Sequence, residues 1–84
     1  MSVADDMFKK LGYKKNPDSS KIYTEYYKYD QEDKNLKQII SFDNKYRTVM
    51  CFIESKDVFN IMAGVLTIPE LKAVNRKVKE LWDA

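Results

Sequence analysis

The sequence has no histidine, one cysteine, two glycines and two prolines among its 84 residues. Without histidine, both the commonest general base and the commonest metal ligand are missing. With Cys51 alone, no intrachain disulfide can form, which fits a reducing compartment. Gly12 and Gly64 stand far apart, so there is no glycine-rich loop to cradle a phosphate. No apolar run approaches the ~20 residues of a membrane-spanning helix. The opening Met1-Ser2-Val3-Ala4-Asp5-Asp6 lacks the basic-then-apolar order of a signal peptide. A strong excess of one charge is also lacking. The formal net charge of +2 is too small to imply nucleic-acid binding and has the wrong sign for a DNA mimic. These absences lead us to expect a non-enzymatic chain acting in the cytoplasm, with no cofactor, no metal and no membrane partner.

The residues that are present describe one small α+β domain over residues 1–84. We expect a three- to four-stranded antiparallel sheet with a short N-terminal helix and a longer C-terminal helix packed on it. The C-terminal helix has the clearest signals. Thr67 and Glu70 stand at capping-box spacing, Pro69 falls in the first turn, and Leu66 and Leu71 occupy hydrophobic-staple positions. Leu71, Val74, Val78, Leu81 and Trp82 then recur at helical spacing as one apolar stripe. Ser2 to Leu11 reads as a shorter helix, capped by Ser2, with Asp5 and Asp6 near its positive end and Lys9 and Lys10 near its negative end. Gly12 follows at the expected C-terminal cap, and Tyr13 to Ser20 reads as a polar turn or loop.

Lys21 to Tyr29 is dense in strand formers. Leu36 to Asp43 and Tyr46 to Ile53 read as a hairpin around Asn44-Lys45, pairing Phe42 with Arg47, Ile40 with Val49, Gln38 with Cys51 and Leu36 with Ile53. Its core face carries Leu36, Ile40, Phe42, Val49, Cys51 and Ile53. The opposite face carries Ile39, Ser41, Asp43, Tyr46, Thr48, Met50 and Phe52, either partly exposed or covered by the N-terminal helix. Between Glu54 and Leu66 two periodicities compete. Val58, Ile61, Met62 and Val65 fit a helix, whereas Phe59, Ile61, Ala63 and Val65 fit a strand. Gly64 favours a strand from about Asn60 to Leu66.

Three groups could carry function. Tyr23, Tyr27 and Tyr29 fall on one face of the first long strand, with Tyr26 on the other. Exposed tyrosines are enriched at protein interfaces; the plainer reading is strand propensity with half-buried rings. Lys72, Arg76 and Lys79 form a basic flank on the last helix, joined in principle by Lys9, Lys10, Lys14 and Lys15, and read either as phosphate contacts or as a solvated surface. Asp30-Gln31-Glu32-Asp33 lacks the spacing and the glycine of a calcium loop, so it reads as a solvated turn. Cys51, mid-strand on the core face, reads as a small apolar group rather than a nucleophile.

Two segments also carry a resemblance. Met7-Phe8-Lys9-Lys10-Leu11-Gly12-Tyr13 and the run from Thr67-Ile68-Pro69-Glu70-Leu71 through Glu80-Leu81-Trp82 together resemble small proteins of phages and prophages of Gram-positive bacteria. Those proteins open with a similar Phe-Lys-Lys-Leu-Gly-Tyr segment and close with a threonine-capped helix ending near a tryptophan. This chain lacks the glycine usual before that tryptophan and has Pro69 where methionine is more usual. The matching residues are helix caps and core positions, so they specify a fold better than an activity. The resemblance implies a phage accessory protein at work in a bacterial cell. The function expected from it is binding and inhibition of a host protein, such as a component of antiviral defence. A small nucleic-acid-binding factor and a sponge for a nucleotide signal remain alternatives. Oligomeric state is open, with a homodimer among the options.

Overall fold

A computed structural model describes residues 2–17, 21–57 and 60–83. In chain order its elements are α1 (Val3–Lys10), β1 (Lys14–Lys15), β2 (Tyr23–Tyr29), β3 (Leu36–Asp43), β4 (Thr48–Ser55), β5 (Asn60–Ala63) and α2 (Ile68–Trp82). The strands form one antiparallel meander in the order β1-β2-β3-β4-β5. The α+β class is as expected, but the sheet has five strands rather than three or four. The extra strand is β1, where Lys14 and Lys15 pair with Tyr27 and Tyr26 inside the stretch read as a polar loop. A two-residue strand has no periodicity of its own and is held only by its partner.

Both helices lie on the same face of the sheet. Between them and the strands sits a core of Phe8, Tyr13, Tyr26, Ile40, Phe42, Ala73 and Val74. Aromatic rings fill much of it. Phe8 stacks on Tyr26 with centroids 4.2 Å apart, and Phe42 meets Phe8, Tyr26 and Trp82 edge-on. Such contacts add roughly 0.5–1.5 kcal/mol per pair beyond the area they bury. Tyr13 belongs to this core, only 3 % exposed, and not to a solvated loop.

The helix signals hold at residue level. Ser2 Oγ accepts from the Asp5 amide, and Gly12 takes the left-handed conformation (φ 91°) past the end of α1. In α2 both arms of the capping box form: the Glu70 amide donates to Thr67 Oγ1 at 3.3 Å and the Thr67 amide donates to Glu70 Oε1 at 2.8 Å. The stripe of α2 is rotated slightly from the expected one. Leu71 is 42 % exposed, and the buried line runs through Glu70, Ala73, Val74 and Lys77.

The hairpin faces are as expected, but the register is displaced. Phe42 pairs with Val49, Ile40 with Cys51, Gln38 with Ile53 and Leu36 with Ser55. The turn holds four residues, 44–47, instead of two. Asp43 explains it: its carboxylate accepts the amides of Lys45 and Tyr46, and Arg47 closes the turn at φ 54°. Tyr46 and Arg47, expected in the strand, fall in this turn, and β4 starts at Thr48. A displacement of two residues leaves the remaining strand side chains on their own faces, which is why the core set survives the error. The expected strand near Asn60 is present as β5 and ends at Ala63. The expectations resting on Asp18, Ser19, Ser20, Val58 and Phe59 lie outside the described residues. The second face of the hairpin is not covered by α1, because α1 packs beside α2 on the other side.

Candidate functional site

The strand register sorts the uncovered face into rows that cross the sheet. Lys14, Tyr27, Ile39, Phe52 and Ala63 form the central row. Tyr29, Lys37, Glu54 and Ile61 flank it on one side, and Glu25, Ser41 and Met50 on the other. Tyr23, Asp43 and Thr48 lie beyond. The three tyrosines proposed as partner contacts therefore share one face, with Tyr26 turned to the core. Tyr23 and Tyr29 are 46 % and 43 % exposed, and Tyr27 is half-buried. Tyr27 and Tyr29 meet edge-on with centroids 6.0 Å apart, and the Lys37 ammonium lies over both rings at 5.3 and 5.9 Å. Lys56 approaches Tyr29 from the next turn at 5.8 Å. This fixes two of the rings in orientation while leaving area on them for contact.

A trough of about 240 Å³ crosses this face. Tyr27, Ile39 and Phe52 form its floor, Asn16 and Glu25 one wall, Lys37 and Glu54 the other. Ile39 and Ser41 are buried without any helix above them, because the taller neighbours Tyr27, Phe52 and Met50 rise around them. Met50 and Ile61 are 60 % and 69 % exposed on the same surface. The face thus has an apolar and aromatic centre with interspersed charges of both signs.

The second candidate group lies on the opposite side of the molecule. Lys72, Arg76 and Lys79 are exposed on the outer side of α2. Arg76 is engaged by Glu80 at 3.5 Å. Lys72 shares a shallow apolar groove of about 200 Å³ with Met7, Lys10, Leu11 and Pro69. Lys10 thus joins Lys72, but Lys14 and Lys15 do not converge there. Lys15 pairs with Asp5 at 3.5 Å, and Lys14 stands beside Tyr27 on the uncovered sheet face. The carboxylates of the Asp30 turn are used locally: Asp30 accepts the amides of Glu32 and Asp33, and Asp33 accepts that of Asn35. Among the described residues no cluster of side chains suits a metal ion.

Sequence reasoning missed a third constellation, two polar clusters at the helices, one buried around Glu70 and one part-buried around Asp5 and Lys77. Glu70 is 3 % exposed. It accepts from the Tyr13 hydroxyl, from Gln38 Nε2 at 3.2 Å and from Lys28 Nζ at 3.3 Å. Burial pushes its carboxyl upward, but the Thr67 amide, the Tyr13 hydroxyl and Lys28 outweigh burial and hold it below the usual glutamate range. In the second cluster Asp5 accepts from Tyr26 and from Lys77 Nζ at 3.1 Å. Lys77 also lies 3.7 Å from Glu80. Asp5 too is held low, burial being overcome by Tyr26 and Lys77. Burial, aided by the neighbouring carboxylates, raises Tyr13 and Tyr26 far above an ordinary tyrosine. Burial and the nearby Glu70 charge also raise the Cys51 thiol, the reverse of what an activated nucleophile needs. Every buried side-chain nitrogen or oxygen among the described residues has a partner, which suits a role in holding the fold. One signal in the sequence did point here: Lys77 falls three residues after Val74 and four before Leu81, on the apolar side of α2. No protein-family model, no curated protein and no solved structure matches this chain.

Proposed function

We propose that the chain is a non-catalytic phage accessory protein that binds a bacterial host protein through the uncovered sheet face and inhibits it by occlusion, with an antiviral defence component as the target class. The observation that carries this reading is the alignment of Tyr23, Tyr27 and Tyr29 beside Met50, Phe52 and Ile61 on a sheet face that neither helix covers. Tyrosine and aliphatic side chains supply the anchors of such an interface, and Lys37, Glu25 and Glu54, interspersed among them, set its orientation. The host assignment rests on the resemblance of the two terminal segments to phage and prophage proteins.

The test is a tagged pull-down from Gram-positive host lysate, with and without nuclease, using the parent chain and the Tyr23→Ala/Tyr27→Ala/Tyr29→Ala variant. One host protein held at stoichiometric level after nuclease treatment, and lost from the folded triple variant, is the expected result. Each anchor is expected to contribute about 1–2 kcal/mol, so the triple loss exceeds a hundredfold in affinity. Unchanged retention by the folded variant removes the tyrosines from the interface. Material lost to nuclease, with binding that weakens steeply in salt and falls on substitution of Lys72, Arg76 and Lys79, transfers the function to nucleic acid.

A further inference from the structure

The two edges of the sheet are unlike one another. In the outer strand β1 the Asn16 amide donates to the Glu25 carbonyl, so by antiparallel alternation Lys14 and Asn16 face β2 and Lys15 alone turns its backbone outward. Lys15 carries a charge paired to Asp5, and Pro17 follows two residues later. Lysine and proline are the residues that block edge pairing. On the other edge the Gly64 amide donates to the Cys51 carbonyl, so Met62 also faces β4. Ile61 and Ala63 therefore direct their N–H and C=O groups away from the sheet. Among the described residues, neither makes a backbone bond outside the β4 ladder. Residues 61–65 carry no charge and no proline. Ile61, Met62 and Val65 are 69 %, 42 % and 81 % exposed. After Gly64 the chain turns inward over the helix face, where the Val65 carbonyl lies 3.5 Å from Gln38 Nε2, so α2 leaves this edge open.

We propose that β5 is the pairing edge for a second copy of this chain, giving a two-fold dimer with one continuous ten-stranded sheet. A two-fold axis through Met62 sets Ile61 opposite Ala63 of the second copy and Ala63 opposite its Ile61. All four outward amides and all four outward carbonyls of the two segments then pair, making four main-chain bonds. The large Ile61 side chain meets a small alanine on the uncovered face, and Met62 meets Met62 on the helix face. Symmetry selects this occupant. Pairing of β5 with β1 would repeat head to tail into a filament, and the guarded β1 edge forbids it. Pairing of β5 with itself closes after two copies. Dimerisation also sets the two tyrosine faces side by side on one surface, which would allow one dimer to engage two partner sites at once.

Sedimentation equilibrium of the full chain, from about 1 to 500 µM, tests the proposal. A monomer–dimer equilibrium is expected. Ala63→Pro removes an outward amide while leaving the β4 ladder intact, since an edge proline with its nitrogen facing solvent is tolerated. Two of the four bonds vanish, and the dimer weakens about thirtyfold or more. Ile61→Lys, which places a charge at the seam, gives the same direction by a different route, with circular dichroism confirming the fold of both variants. A third variant does not depend on the loss of association. Met62→Cys, in a non-hydrogen-bonded pair across the axis, is expected to cross-link rapidly under mild oxidant, and Val65→Cys slowly. A parent chain that stays monomeric at about 500 µM overturns the proposal. So does growth beyond the dimer, undiminished dimerisation of folded Ala63→Pro and Ile61→Lys, or no cross-link at Met62→Cys.

Discussion

Replacing Glu70 with glutamine keeps the side-chain shape and removes one charge and one acceptor. In the parent, Oε1 accepts the Thr67 amide at 2.8 Å, and Oε2 accepts the Tyr13 hydroxyl, Gln38 Nε2 at 3.2 Å and Lys28 Nζ at 3.3 Å. All four partners are donors, and a carboxylate suits four donors where an amide does not. If the new amide oxygen stays toward Thr67, its nitrogen confronts Tyr13, Gln38 and Lys28. If it turns over, the capping box is lost. The Tyr13 hydroxyl cannot easily reverse its role, because Gln38 Nε2 already donates to it at 2.7 Å. Charge-assisted bonds contribute about 1.5–3 kcal/mol each when buried. The Lys28 side chain is 35 % exposed and can swing to water, so its share is discounted to less than about 1 kcal/mol. The expected loss is about 3 kcal/mol, or roughly 12–24 °C in Tm for a domain of this size. Urea unfolding at neutral pH measures it, with m unchanged. Tyr13→Phe should cost about 1–1.5 kcal/mol, and the double variant should fall short of the sum. The gap between parent and Glu70→Gln should also close in acid. Glu70 titrates lower in the folded chain than in the unfolded one, so its contribution is complete above the ordinary glutamate pKa of 4.5 and is lost as pH falls through the folded value. A loss below about 1 kcal/mol at neutral pH, or a gap that does not change with acid, would refute this account of the cluster.

The buried tyrosines set the alkaline limit. Tyr13 and Tyr26 bind their protons more tightly in the folded state, so stability is complete below the ordinary tyrosine pKa of 10.0 and declines as pH rises above it. Urea midpoints taken across that range should fall, less so in Tyr13→Phe, and a flat profile contradicts the assignment. Gly64→Ala should destabilise by about 1–3 kcal/mol, because the added Cβ would lie 2.6 Å from Cys51 Sγ. Cys51→Ala in the same chain should recover only part of the loss, since the Phe52 nitrogen and the Cys51 carbonyl carbon remain at 3.1 and 3.2 Å. Full recovery would show that the backbone yields. Asn44→Ala should cost about 1 kcal/mol and shift the Trp82 emission, because the indole N–H donates to Asn44 Oδ1 at 3.1 Å; an unaltered spectrum would place the indole elsewhere in solution.

The elements legible in the sequence were those whose signals are local. The capping box of α2 lies within four residues, the cap of α1 within the same span, and the alternation of β3 and β4 needs only a period of two. The error in the hairpin was also local in origin. Asn44-Lys45 looks like a two-residue turn, but the Asp43 carboxylate competes for the following amides and lengthens it. What could not be read depends on distant partners. Tyr13 reads as polar until Glu70, 57 positions away, supplies its acceptor. Lys77 falls on the apolar side of α2, but its partner Asp5 lies 72 positions away. The tyrosine face was visible as alternation along β2, whereas the row of Ile39, Phe52 and Ala63 that extends it across the sheet needed the register of three further strands.

The contacts between α1 and α2 have a consequence for how the protein is made. Ser2 Oγ and the Ala4 amide both donate to the Glu80 carboxylate, and Asp5 meets Lys77. Eight residues of helix are too few to persist alone in water. During translation α1 therefore leaves the ribosome long before its acidic and basic counterparts in α2 exist. The meander can pair strand by strand as it emerges, but Phe8 has no lid over it until the last turns arrive. Although α1 is synthesised before the sheet, it is among the last of these elements to be fixed, and until then the nascent sheet presents apolar surface on both of its sides.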